Sequence, residues 1–265
     1  MKKLTAMKVF KGGSLLVSDT VIAIFLSMSL LGVWYEASEG TASDVLTSTD
    51  AVEEYLTEEY ADYDDVTISA GAETKIDTKN YSQSKLNSYY KSVTGDTVSG
   101  TCSEVATLSL IEFYSELEEF FTNSSYQDTF VDILTIALNE GYYTVDDGTD
   151  QTKLDSLVTD SFSFYGSSDE GNNDYFNLYS TICEKVDEGV PVLFDITGHT
   201  MVACGYVTYT TTYTKSNGKT KTVTDDFVIV NDGWSNDRQY SYFPETLIST
   251  NVFTRWEFCI TKVVN

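Results

Sequence analysis

The chain has 265 residues and a formal net charge of −25, from 41 acidic against 16 basic side chains. So large a negative excess repels phosphate backbones and anionic lipid, which argues against nucleic-acid binding and favours a soluble body with room for one core. Only two prolines and no internal repeat argue against a linker-rich or collagen-like architecture.

Lys2, Lys3, Lys8 and Lys11 precede an apolar run from Val21 to Trp34, which small residues follow. Basic, then apolar, then small is the order of a secretory signal. Residues 1–37 are therefore expected to be a signal peptide or, if uncleaved, an N-terminal membrane anchor that leaves the acidic body outside the cell. Residues 38–80 are polar, acidic and weakly periodic, and are expected to form an acidic spacer or a prosegment. One short helix fits "AVEEYLTEEYADYDD", and the carboxylates there lack the pattern of an EF-hand loop. Residues 81–265 carry the pattern of a packed domain.

Within that domain helices come first. "TCSEVATLSLIEFYSELEEFF" places Ala106, Leu110, Phe113, Tyr114, Leu117 and Phe121 at helical spacing, and Thr101 with Glu104 fits a capping box at its start. "DTFVDILTIALNEGYY" predicts a second helix stopped at Gly141, "TKLDSLVTDSF" a third, and residues 174–188 a fourth. The period then changes to that of strands in "VPVLFDIT", "HTMVACGYVTYTTTYT", "KTVTDDFVIVND" and "RWEFCITKVV", with an Asn217-Gly218 hairpin signal between two of them. Helices followed by antiparallel strands predict an α+β domain.

Cys102 falls in the first turn of its helix, where unpaired N–H groups and the helix dipole favour a thiolate and are expected to lower its pKa. The plain alternative is a small buried apolar residue. His199 is the only histidine; it follows an apolar strand and Gly198, which permits an unusual backbone angle or a close approach. Asn231 ends another apolar strand, with Gly233 and Trp234 after it, a place where asparagine often serves only to end the strand. Cys183, Cys204 and Cys259 are widely scattered, with no C-x-x-C pair, so neither a zinc site nor a disulfide scaffold is expected.

In order and spacing, "GTCSEVATLSLIEFY", "GVPVLFDITGHTMVACGY" and "DFVIVNDGW" resemble the papain-like cysteine peptidases, particularly the compact bacterial types related to staphopain, streptopain and the peptidase C39-like proteins. The resemblance covers residues 96–242. It implies a helical half with the cysteine at the N-terminus of its central helix, an antiparallel sheet half, and a cleft between them. It also implies Cys102 as nucleophile, His199 as base, Asn231 orienting the imidazole, Trp234 shielding that bond, and the Cys102 backbone N–H in the oxyanion hole. The family's oxyanion glutamine falls at Asp96, whose ionised carboxylate would repel the developing charge: either another donor such as Thr97 or Ser99 substitutes, or Asp96 stays protonated, or catalysis is poor. On this reading the protein is an exported bacterial thiol peptidase, monomeric, with a peptide or protein substrate and neither cofactor nor metal. Two other readings remain: an inactive relative that binds peptides, and a transglutaminase-like acyl transferase using Asp232. On an extended chain only one of Asn231 and Asp232 can address His199, and the Gly-Trp that follows favours Asn231.

Overall fold

Sixteen residues from His199 to Thr214, rich in β-branched and aromatic side chains, form one long strand around which the rest is built. The computed structural model describes residues 44–118, 125–166, 171–174, 178–196, 198–235, 239–249 and 257–260. Contacts divide the chain into Met1–Ala37 and Ser38–Asn265. The expected leader over 1–37 lies outside the described residues, as do the side chains of Leu117, Phe121 and Cys259. Among the described residues no helix is long and apolar enough to cross a membrane.

In chain order the described elements are α1 (Thr49–Glu59), β1 (Asp64–Ala70), β2 (Thr74–Lys75), α2 (Gln83–Thr94), α3 (Cys102–Glu118), α4 (Tyr126–Asn139), β3 (Tyr143–Thr144), β4 (Gly148–Thr149), α5 (Leu154–Phe164), β5 (Gly171–Asp174), α6 (Leu178–Asp187), β6 (Val192–Ile196), β7 (His199–Thr214), β8 (Thr220–Asn231), β9 (Ser241–Pro244), α7 (Glu245–Ser249) and β10 (Glu257–Ile260). The fold is α+β. Its main sheet is antiparallel in the order β5-β10-β6-β7-β8-β9, with β1 and β2 added along β7.

Local chemistry sets several element ends. The Ser125 hydroxyl caps α4 by accepting from the Asp128 N–H at 3.2 Å, and the chain leaves that helix through Gly141 at φ 70°. The β7–β8 hairpin turns at Asn217-Gly218, where Asn217 Oδ1 accepts from the Lys219 N–H at 3.1 Å.

Strand alternation gives the sheet two differently covered faces. Leu193 and Val202 join the core built by α2 to α5, in which Ala106, Leu110 and Tyr114 are buried and Phe113 is partly covered. Val192, Ile196, Met201, Ala203, Val228 and Val230 pack instead under Ile182 and Val186 of α6. Ala203 pairs with Val230 but Gly205 pairs with Ile229, a bulge that re-aims the rest of β7. Beyond it Val207, Tyr209, Phe227 and Ile229 are covered by Val52 and Leu56 of α1.

Residues 44–80, expected as a spacer or prosegment, are packed on the main body. They supply a helix and two strands to the main body, together with a bridge from Leu46 to Tyr242. Val52 and Leu56 of α1 point into one cluster, and β1 adds Ile68 to that cluster besides pairing its backbone with β7.

Gly205 shows how closely this segment lies. A Cβ there would sit 2.5 Å from the Thr74 carbonyl oxygen and 2.8 Å from Lys75 Cβ. Gly205→Ala is expected to force β2 off β7 and cost about 1–3 kcal/mol, read as a lower midpoint of urea unfolding.

The acidic excess is handled locally by hydroxyl donors. Tyr60 donates to Asp225, Tyr89 to Asp128, Tyr142 to Asp160 and Tyr165 to Asp132. Such bonds hold carboxylates without a cation, which suits a chain with few lysines and arginines.

Candidate active site

Cys102 opens α3. The first intrahelical bond runs from the Val105 N–H to the Thr101 carbonyl at 3.1 Å, so the Cys102 N–H precedes the helical ladder. The expected capping box does not form, because neighbouring elements offer its members other partners. The Thr101 hydroxyl donates to Asn87 Oδ1 at 2.6 Å, and Glu104 turns inward to accept from the Thr149 hydroxyl at 2.6 Å.

The thiol lies against Thr200, the second residue of β7. Burial raises its pKa, and the charges of Glu104 and Asp195 push the same way; the Thr200 backbone and hydroxyl pull against them. The expectation of a lowered pKa is therefore corrected: desolvation at this helix start outweighs the hydrogen bonds that favour the anion. Thr200 also heads a buried chain of hydroxyls. Its own donates to Asp195 Oδ1 at 2.7 Å, so the Ser103 hydroxyl, 2.9 Å away, must be the donor to Thr200.

His199 is 4% exposed. Its Nε2 lies 2.7 Å from the main-chain carbonyl oxygen of Asp232. A carbonyl only accepts, so Nε2 carries the hydrogen and Nδ1 is the basic nitrogen of the neutral ring. Burial lowers the His199 pKa, against the raising influence of the Asp232 carbonyl and charge. Trp234, 36% exposed, stacks on the ring with centroids 4.7 Å apart and planes 23° apart, covering one face of it.

Asn231, the sequence-predicted orienting residue, does not address the ring. Register pairs it with Val202, turning its side chain to the segment before α2. There Oδ1 accepts from the Thr78 hydroxyl at 2.5 Å, while Nδ2 donates to the Gln239 carbonyl, just ahead of β9, at 2.7 Å. Of the two adjacent candidates Asp232 is the one that reaches His199, and it does so through its main chain. Its carboxylate is engaged elsewhere: Oδ1 accepts from Asn80 Nδ2 at 3.1 Å and from the Trp234 N–H at 3.0 Å, and Oδ2 accepts from Ser241 at 2.6 Å.

The structure brings Cys102 beside the residue next to His199, and the thiol is not hydrogen-bonded to the ring of that described neighbour. Along β7 Thr200 faces α3 while His199 alternates to the Asp232 side. Gly198 has φ 77° with open space where a Cβ would project, so of its two expected uses the turn from β6 into β7 is the one adopted. Asp96 is exposed in the loop ahead of α3, its N–H donating to the Thr94 hydroxyl at 3.2 Å. Thr97 is exposed as well, and the Ser99 hydroxyl donates to the Val145 carbonyl at 3.2 Å.

Thr200, Asp195 and Asn80 were not singled out from the sequence, and Glu104 only as a cap. A carboxylate inside the apolar strand "VPVLFDIT" was a usable signal for Asp195; Thr200 and Asn80 have none beyond position. Among the described residues no group of three His, Cys, Asp or Glu side chains could hold a metal ion. Compared with known proteins, the chain matches no family model, no curated protein and no solved structure.

Proposed function

We propose that the protein is an exported, papain-like thiol peptidase that hydrolyses peptide bonds through Cys102, with His199 as its base. The observation that carries this reading is the fixed ring. Nε2 is committed to the Asp232 carbonyl, so a basic Nδ1 is presented by the residue adjoining the one that meets the thiol. With the thiol pKa raised and the imidazole pKa lowered, the resting pair is neutral. The proton passes from Sγ to Nδ1 as sulfur attacks the carbonyl carbon, and returns to the amine as the C–N bond breaks. Water then hydrolyses the thioester. Substrate binding must tighten the approach of ring and thiol, as hydrogen bonds at such sites commonly do only once substrate is bound.

A second reading, an inactive peptide-binding relative, is favoured by two observations. The thiol meets Thr200 rather than the ring, and Asp96 stands exposed where the resembling family carries glutamine. Iodoacetamide labelling of the full chain across pH separates the two. For the peptidase, Cys102 labels first and His199→Ala slows it at least about tenfold, the worth of one pKa unit at the base. Cys204, buried with its pKa pushed up to about 12, stays slow in both proteins. Equal, slow labelling of Cys102 in both would leave only the binding reading. Products formed with peptide and amine acceptors then distinguish hydrolysis from acyl transfer.

A further inference from the structure

The carbonyl that orients His199 belongs to a tight turn, and that turn is held from a distant part of the chain. Asp232 Oδ1 accepts from the Trp234 N–H, which closes the turn on itself. Asn80, more than 150 positions earlier, bonds both sides of it: Nδ2 donates to Asp232 Oδ1 at 3.1 Å, and Oδ1 accepts from the Gly233 N–H at 2.9 Å. Gln83 adds its own N–H to the Gly233 carbonyl at 2.7 Å. Asn80 and Asp232 are both buried, at 6% and 0% exposure, so these bonds are shielded from competing water.

We propose that Asn80 is the positioning residue of this site, clamping the Asp232–Gly233 peptide so that the Asp232 carbonyl stays on His199 Nε2 and the ring keeps Nδ1 as its basic atom. The geometry suits the task. The peptide plane that carries the Asp232 carbonyl also carries the Gly233 N–H, so a bond to one end fixes the direction of the other. An asparagine is the side chain that can donate and accept across one turn at once; an aspartate would set a second carboxylate against Asp232, and a serine is too short to bridge both groups. The consequence for Cys102 rests on the peptidase reading, but the effect on the ring does not.

His199 is the only histidine, so its ring resonances in the full chain are read without assignment. In the parent, ring nitrogen shifts are expected to report the Nε2–H tautomer. In Asn80→Ala the tautomers mix, and the ring, losing the raising influence of the Asp232 carbonyl, titrates at lower pH than in the parent. Iodoacetamide labelling of Cys102 slows about tenfold, by the same one-unit measure. Asn231→Ala removes a neighbouring buried amide of the same kind and is expected to leave the tautomer unchanged. Should Asn80→Ala not fold, Asn80→Ser serves, since it keeps a hydroxyl but cannot reach both partners. An unchanged tautomer and titration in a folded Asn80 variant, even with a lower melting temperature, overturns the proposal and leaves Asn80 as packing alone. A ring that responds while Cys102 labelling is the same in the Asn80 and His199→Ala variants as in the parent leaves the positioning role standing and removes the peptidase reading.

Discussion

A chain that begins at residue 81 is expected not to fold. Such a truncation would be the natural product of maturation if residues 38–80 were a removable inhibitory segment. The packing points the other way. Val52 and Leu56 are fully buried, and their loss uncovers Tyr209, Phe227 and Ile229 on the sheet. Burying two such side chains is worth roughly 1.5–3 kcal/mol each. Removing β1 and β2 also strips β7 of the strands that pair it from Gly205 to Thr214 on that edge, leaving long rows of backbone groups open to aggregation. Thr78 and Asn80 are lost too, and with them the bonds that hold Asn231 and the Asp232 turn. Against a total stability of about 5–15 kcal/mol for a domain, these losses together are decisive. Circular dichroism and protease sensitivity of residues 81–265 test this. A cooperatively folded truncated chain whose Cys102 labels faster than the parent's would instead establish 38–80 as an inhibitory prosegment.

The elements that were legible in the sequence are those whose residues bury a regular face. The helix at Cys102, the stop at Gly141, the Asn217-Gly218 hairpin and the span of β7 all follow from period and turn chemistry. What could not be read is what depends on backbone. In "DDVTISA" Val66 and Ile68 are only half-buried, and the strand is completed by peptide groups that pair with the edge of β7. The same limit explains the site. Cys102 and His199 were singled out by residue type, and strand alternation, which concerns side chains, does not decide the contact with the ring, since neither the Asn231 nor the Asp232 side chain makes it. The group that does so is a main-chain carbonyl, which every residue possesses, so side-chain chemistry pointed to the wrong neighbour. Glu104 was legible as an acid near a helix start, yet its turn inward depends on Thr149, which the helical pattern cannot anticipate.

Glu104→Gln and Asp195→Asn are expected to stabilise the protein at pH 8 and to do little at pH 4. Burial pushes the Glu104 carboxyl from 4.5, and that of Asp195 from 3.8, up to about 7. Each has one oxygen without a hydrogen-bond partner, Oε2 and Oδ2 respectively, so the folded protein prefers both acids neutral. The sign follows from which state binds more protons. Below about pH 4 folded and unfolded chains are alike protonated at these groups; between about 4 and 7 only the unfolded chain ionises, so stability falls, and above 7 the deficit is constant. At 1.36 kcal/mol per unit the full deficit is roughly 3–4 kcal/mol per group, an upper figure for the gain because the new amide N–H groups also need acceptors.

The same two substitutions reach the Cys102 thiol. The charges of Glu104 and Asp195 push the Cys102 thiol toward its protonated form, and in Asp195→Asn the new side-chain carbonyl oxygen would still accept from the Thr200 hydroxyl. At pH 8 both variants should therefore label Cys102 faster than the parent, whereas near pH 5, with the acids already neutral, the rates should converge. Denaturation and labelling measured at the two pH values give independent readings of one cause. A stability difference that is the same at pH 4 and pH 8 would mean that neither acid changes its charge on unfolding in that window. Labelling unchanged at pH 8 would mean that their field does not reach the sulfur, and the burial of two acids beside this thiol would then have to be explained by packing alone.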